Sequence, residues 1–428
     1  MGEQGHSALA RELLEARRHT LGLLEGLDDR QLAVPRLPTL NPFLWEAAHV
    51  AWFQEHWTLR HLHGERPLRA DGDRLYDSAA VAHELRWDLP LPSRADTLRY
   101  MAEVLERVLE RLARAELTPE QRYFHQLVLF HEDMHAEAWV YALQTLALPA
   151  PAGAREEPPA AGPLPGDVEV PGGTFQLGSP RGAGFVFDNE KWQHEVRLAP
   201  FRIARAPVTQ AEFAAFVDEQ GYARRELWSE PGWSWRERER AQAPIAWRRD
   251  GTEWLRRAFD RWFPLEPHRP VLHVSWHEAE AWCRWAGRRL PSEAEWERAA
   301  TLEIDPARPP KRAYPWGSAE TAPDRAWLDL RGSGCADVGA LAGGDSAAGC
   351  RQILGNVWEW VADDFLPYPG FAPDPYREYS EPWFGTHKVL RGGSFATRSR
   401  LIRSTYRNFF TPQRRDVLAG FRTAEVAT

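Results

Sequence analysis

The stretch FHEDMHAEA, residues 130–138, lies in a long segment whose apolar residues recur with a helical period. On a helix His131 and His135 share one face, with Cβ atoms about 5–6 Å apart, close enough for two imidazoles to hold one metal ion. The bland alternative is a solvated polar pair. The flanks Val128, Leu129, Phe130, Met134, Trp139 and Val140 argue against it, because imidazoles sunk in apolar company need hydrogen-bond or metal partners to offset desolvation. The string also reads H-E-x-x-H, the zinc-protease pattern. That pattern needs a third ligand downstream, yet the next histidine is His194, and Glu156 and Glu157 lie in a Pro/Ala/Gly-rich stretch. The protease reading therefore fails.

Upstream, further amphipathic segments can pack against this helix. Residues 7–28 place Leu9, Leu13, Leu14, Leu21, Leu24 and Leu27 at mostly helical spacing. Asn41-Pro42 reads as an N-cap with proline at the first helical position, opening an aromatic helix over about 42–62 that carries Phe43, Trp45, Trp52, Phe53 and Trp57. Ser93-x-x-Asp96 is a capping-box-like start for a third helix reaching Arg114. Thr118-Pro119 with Gln121 starts the helix that bears His131 and His135. Four such helices predict a four-helix bundle, and bundles build metal sites from inward side chains of facing helices. His49 sits mid-helix among Trp45, Trp52 and Phe53, whereas His61 and His63 fall at that helix's end. A three-imidazole site of His49, His131 and His135 follows as the expectation.

A chain of 428 residues is too long for one ordinary core and predicts two domains. The net charge of −8 argues against nucleic acid as the main partner. Lysine occurs only at 191, 311 and 388, a skew that looks compositional rather than functional. Three cysteines without a C-x-x-C pair give neither a disulfide framework nor a cysteine zinc site. No apolar run approaches the roughly 18 residues of a membrane span, no signal peptide opens the chain, and His6 breaks the myristoylation motif after Met1-Gly2. A soluble, cytoplasmic protein is expected. The divisions expected are a helical domain over 1–148, a Pro/Ala-rich linker over 149–167 and a second domain over 168–428.

From Val168 the texture changes to short apolar runs broken by glycine: VEVPGGTFQLGS (168–179), RPVLHVSWHEAEAWCRWAGRRLPSEAEWERAA (269–300), GNVWEW (355–360), VLRGGSF (389–395) and AGFR (419–422). Helices are expected at about 209–220, 276–287 and 292–300 among short strands, an α+β domain. This order of segments resembles the formylglycine-generating-enzyme domain, a variant of the C-type-lectin-like fold. The resemblance implies that Trp358, Trp360 and the RGGSF turn are structural. Formylglycine generators carry two catalytic cysteines shortly after the RGG segment, but here RGGSFATRSRLIRSTYR holds none. Cysteine-based oxygen activation is thereby excluded.

A DinB-like bundle with three histidines, joined to such a domain, resembles the ergothioneine-pathway sulfoxide synthases and their close relative selenoneine synthase. The resemblance spans essentially the whole chain. It implies Fe(II) held by His49 in WEAAHVAWFQEHW and by His131 and His135 in HEDMH, with the second domain closing over the metal. It further implies O2 and hercynine, the trimethylated betaine of histidine, as substrates. Asn408 and Phe409 in YRNFFTPQRR match the pocket for the quaternary ammonium, which aromatic faces attract. Tyr376 in DPYREYSEPWFG matches a proton-donating tyrosine, Tyr379 lies near the imidazole, and Arg86 matches a region that holds a carboxylate of the sulfur substrate. Ordinary packing is the competing reading for each of these side chains.

Two departures bear on the co-substrate. Met134 replaces a polar residue that the γ-glutamylcysteine-dependent enzymes direct at the imidazole, and Phe410 stands where they place an acid. Such a pocket suits a selenosugar, or a thio-sugar, better than a zwitterionic cysteine derivative, and implies carbon–selenium bond formation. A sulfoxide synthase using cysteine or γ-glutamylcysteine is the first alternative. A DinB-like thiol transferase using zinc or nickel without O2 is the second, and a lectin-like module that binds without turnover is a third. Metal content and oxygen uptake separate the thiol transferase from the oxygenases, and a His49→Ala variant with unchanged metal and activity would favour the binding module.

Overall fold

The computed structural model describes residues 7–114, 116–304, 311–317 and 323–426. The chain divides into two compact units, Met1–Leu143 and Gln144–Thr428.

The first unit is helical. Its elements are α1 (Ala8–Leu24), the short α2 (Asp29–Leu32), α3 (Phe43–Glu55), α4 (Gly72–Tyr76), α5 (Arg94–Leu112) and α6 (Pro119–Thr145). On α5 the buried residues Thr97, Tyr100, Met101, Val104, Leu105, Val108 and Leu112 repeat every three or four positions, so one stripe faces the core. In α3, by contrast, every residue except Leu44 is buried. A helix apolar on all sides belongs at the centre of a bundle, and this one carries His49 there.

Local chemistry sets the helix ends. Ser93 Oγ accepts the Asp96 amide, capping α5 as the capping-box pattern predicts. Ser93→Ala is expected to cost about 1 kcal/mol in chemical denaturation, the usual worth of an N-cap. The expected Asn41 cap of α3 is a correction: Pro42 occupies the N-cap position, without a side-chain cap. Asn41 Oδ1 instead accepts from Arg86 Nη1 at 2.7 Å. The helix expected over 7–28 stops at Leu24, because Gly26 turns the chain at a φ of +88°. The aromatic helix continues past Glu55 as a π-helical stretch, His56–His61.

The second unit holds four small sheets. Strands β1 (Asp167–Val170), β4 (Phe201–Ala204), β13 (Ala424–Glu425) and β8 (Arg288–Arg289) make one, in that spatial order. A second runs β11 (Asn408–Phe410), β10 (Lys388–Arg391), β9 (Trp358–Asp364), β12 (Ala419–Gly420), with β12 parallel to β9. A hairpin, β2 (Gly173–Leu177) with β3 (His194–Leu198), and a meander, β5 (Trp247–Asp250), β6 (Glu253–Ala258) and β7 (Arg261–Pro264), complete the set. Helices α7 (Gln210–Asp218), α9 (Trp276–Trp285) and α10 (Glu293–Thr301) lie at the expected places, each opened by a capping box from Thr209, Ser275 or Ser292. Helix α8 (Glu230–Glu239) was not expected, since its Pro231-Gly232 start reads as a turn.

The core of this unit is built partly from ions. Arg391, Arg407 and Arg422 are almost fully buried. Arg422 forks onto Glu359 (Nε to Oε2 2.6 Å, Nη2 to Oε1 2.7 Å), and Glu359 also accepts Trp296 Nε1. Arg391 donates to Glu293 and Glu297 at 2.7 and 2.6 Å, while Arg407 takes Glu293 from another side. Planar guanidinium–carboxylate pairs satisfy donors that an apolar core would strand. Trp358, Trp360 and the Arg391–Phe395 turn are buried around them.

Residues 151–162, within the Pro/Ala-rich stretch, run irregularly beside the loop around 331–339. Glu156 N–H donates to Arg331 O, and the amides of Ala161 and Gly162 donate to Asp337 Oδ2. No helix among the described residues is long and apolar enough to cross a membrane.

Candidate metal centre and the tyrosine segment

Helices α3 and α6 bring His49, His131 and His135 together, with candidate ligand nitrogens all within 4.8 Å of one another. Ring centroids lie 5.1 Å apart for His49–His131, 5.0 Å for His49–His135 and 4.5 Å for His131–His135. His49 and His131 are only 2% and 3% exposed. Burial first, and then the neighbouring His135, hold both their pKa values well below the ordinary imidazole range. Both rings are therefore neutral near pH 7, the form that ligates metal.

The second ring nitrogens explain the orientation. His49 Nδ1–H donates to the Tyr76 carbonyl at 2.8 Å, because a carbonyl can only accept. That fixes the tautomer and leaves Nε2 with its lone pair. His135 Nδ1–H donates to Glu46 Oε1 at 2.6 Å, which orients that ring as well. The carbonyl of Tyr76 is placed by two tryptophans of α3: Trp45 Nε1 donates to Leu75 O and Trp52 Nε1 to Asp73 Oδ1. Aromatic rings wedge the imidazoles, Phe53 lying flat on His131 at 3.6 Å and Trp45 on His49 at 5.0 Å.

Glu46, three residues before His49 on α3, is thus the orienting partner of His135. Glu132 instead pairs with Arg17 at 2.8 Å inside the bundle. Three converging imidazoles, with His49 and His135 oriented through their Nδ1–H groups, suit a divalent transition metal. Glu46→Ala is expected to weaken divalent-metal affinity by roughly 10–100-fold, measured by competition with a chromophoric chelator.

The substrate residues suggested by resemblance fall as follows. Arg86 donates to Asn41, and its guanidinium lies 4.0 Å over the ring of Trp45, which in turn stacks on His49. Met134 is half-buried on α6, one residue before His135. In the second unit Tyr376, Tyr379 and Phe409 lie together, with ring centroids 6.1 Å apart for the tyrosines and 5.9 Å for Tyr379–Phe409. Phe409 stacks on Phe365 at 4.1 Å. Tyr379 stacks on Phe187 at 4.4 Å, and its hydroxyl lies 3.5 Å from that of Tyr406. Asn408 and Phe410 share β11 with Phe409, and the Arg414 guanidinium lies 4.8 Å over the Phe410 ring. Burial pushes the Tyr379 phenol well above its ordinary value.

The three cysteines take no part. All are free and buried, and burial pushes their thiols up, Cys335 to about 12 and Cys350 to about 11.

Sequence comparison places these two units among known proteins. Residues 153–427 match the sulfatase-modifying factor enzyme 1-like domain, and residues 12–143 match the DinB superfamily. The hercynine oxygenase of Mycolicibacterium thermoresistibile is 40% identical, over 97% of this chain and 94% of its own length. That of Mycolicibacterium smegmatis is 39% identical over 97% and 98%. The formylglycine-generating enzyme of Streptomyces coelicolor is 34% identical, over 66% of this chain and 96% of its own.

Proposed function

The chain belongs over nearly its whole length to the hercynine oxygenase family, and on that premise we propose that it is a non-heme iron enzyme using O2 to join selenium or sulfur to the imidazole carbon of hercynine. Membership makes it an oxygen-dependent oxidoreductase of the ergothioneine pathway. The observation that carries the finer reading is the convergence of His49, His131 and His135 in a chain of that family.

When bound, iron supplies the change of oxidation state that zinc lacks, together with coordination positions that three imidazoles leave open. The residues do the rest. His49, His131 and His135 hold the ion without adding negative charge. In this reading Phe409, backed by Phe365, offers an aromatic face to the trimethylammonium group, while the Asn408 side-chain oxygen accepts the Phe409 N–H at 2.8 Å. Tyr376 gives up its hydroxyl proton during coupling, and Tyr379 packs against the imidazole. Arg86 would meet a donor carboxylate only in the cysteine or γ-glutamylcysteine reading; its guanidinium is engaged by Asn41 and the Trp45 ring. By the resemblance, Met134 on α6 and Phe410 on β11 each stand where γ-glutamylcysteine-dependent enzymes carry a polar side chain. This favours a neutral selenosugar over cysteine or γ-glutamylcysteine, because a zwitterion left without polar partners loses its hydration uncompensated.

Anaerobic loading with Fe(II), then O2 and hercynine with each donor separately, tests the reading by product mass. Coupling to the selenosugar alone, or far faster than to the others, is expected. Coupling only to cysteine or γ-glutamylcysteine would transfer the assignment to a sulfoxide synthase, and thiol transfer without O2 would overturn it. Tyr376→Phe is expected to slow coupling about a hundredfold, the low end for loss of a general acid, with iron content unchanged. Unaltered rates and products would remove that role.

A further inference from the structure

One five-residue stretch, Phe187 to Lys191, brackets the segment that carries Tyr376 and Tyr379. Asp188 Oδ1 accepts a 2.5 Å hydrogen bond from Ser380 Oγ, and Ser380 directly follows Tyr379. Lys191 Nζ donates to both oxygens of Asp374 at 2.7 Å, two residues before Tyr376. Between these two links the Phe187 ring lies on Tyr379, 4.4 Å away and inclined by 20°. The tyrosines are held from both sides in sequence and from beneath.

Asp188 is the costly member of this set. It is 2% exposed and Ser380 is fully buried. Burial pushes its carboxyl up to about 6, against the Ser380 hydroxyl, which favours the ionised form. A desolvated carboxyl is a poor way to fill space. What it provides, and apolar packing does not, is a short hydrogen bond of fixed direction. Glu190, two residues on, takes Arg403, Thr405 and the Phe187 amide, so within this stretch Asp188 is the carboxylate bonded to Ser380.

We propose that Asp188 is a positioning residue that acts through Ser380 to hold Tyr376 and Tyr379 in the geometry that coupling requires. The proposal rests on the assignment of Tyr376 as proton donor, and its test separates the two. In the Fe(II)-loaded full chain, Asp188→Ala lowers kcat for coupling by up to about a hundredfold, the scale of a 1 Å misplacement, and iron content does not change. Asp188→Asn, whose amide oxygen still accepts from Ser380, restores most of the rate. In a Tyr376→Phe background Asp188→Ala adds little further loss, because both changes act on one step. A loss that persists undiminished in that background overturns the proposal. Ser380→Ala deletes a single oxygen and serves the same comparison should Asp188→Ala fold poorly.

If Tyr376→Phe alone leaves coupling intact, the donor assignment fails, and amide hydrogen exchange then judges the clamp separately. Faster exchange confined to residues 374–383 in Asp188→Ala and Ser380→Ala upholds it. Unchanged exchange there overturns it.

Discussion

His131→Ala abolishes metal binding and coupling together. The ring it removes is one of three whose candidate ligand nitrogens lie within 4.8 Å of one another. Structural zinc sites of four ligands bind with roughly 10–16 kcal/mol, or about 3 kcal/mol per ligand, and that corresponds to more than about a hundredfold in Kd. The remaining pair, His49 and His135, would not retain iron through gel filtration at micromolar protein. The cavity left beneath Phe53 is the competing explanation for lost activity, since that ring lies flat on His131 at 3.6 Å. His131→Gln settles it by keeping a polar side chain of similar reach there. Both variants should keep the helical circular dichroism of the parent while iron, assayed by mass spectrometry, falls to background. Retention of one iron per chain in either variant would remove His131 from the site.

Glu297→Ala carries the largest expected stability effect. Its carboxylate, with no exposed surface, takes Arg391 Nη2 at 2.6 Å, Lys311 Nζ at 2.5 Å and the Gly178 amide at 2.8 Å. Burial pushes this carboxyl up, but Lys311 and Arg391 outweigh burial and hold it below its ordinary value. Removing one partner of a buried pair leaves uncompensated charge at a cost of about 3–5 kcal/mol, or roughly 10 °C in Tm for a unit of this size. Glu297→Gln keeps the shape and an acceptor for Gly178 and should cost less. A depressed carboxyl stabilises the fold above its unfolded pKa and loses that contribution as pH falls through the folded one. The gap between parent and Glu297→Ala should therefore narrow on acidification below about pH 4, near the unfolded glutamate value. Equal Tm values at pH 7 would show that the network contributes nothing.

How far the sequence could be read depended on whether a feature lives within one element. The His131/His135 pair is a matter of helical period, and Ser93 with Asp96 caps α5 within four residues, so both were legible. His49 was legible because it stands alone among large apolar neighbours on α3, a helix buried nearly all round. The choice of Glu46 over Glu132 as orienting partner was not, since both are buried beside histidines and only the crossing of helices sends Glu132 to Arg17. The Tyr76 carbonyl that orients His49 is backbone and leaves no mark in composition. Asn41 failed as a cap because a tertiary partner, Arg86, takes its oxygen. In the second unit, strands as short as β8, β12 and β13 offer two residues each, too few for an alternation to register. The grouping of Tyr376, Tyr379 and Phe409 came from resemblance, not from any pattern in those residues. Asp188 and Ser380 stand 192 positions apart, a separation that no local pattern spans.

Oxygen uptake tests the whole account most directly. One Fe(II) per chain should support O2 consumption only when hercynine and a chalcogen donor are both present, and the same chain loaded with one Zn(II) should consume none. Turnover of hercynine by the zinc form at the rate of the iron form, or by either form without O2 uptake, would contradict it.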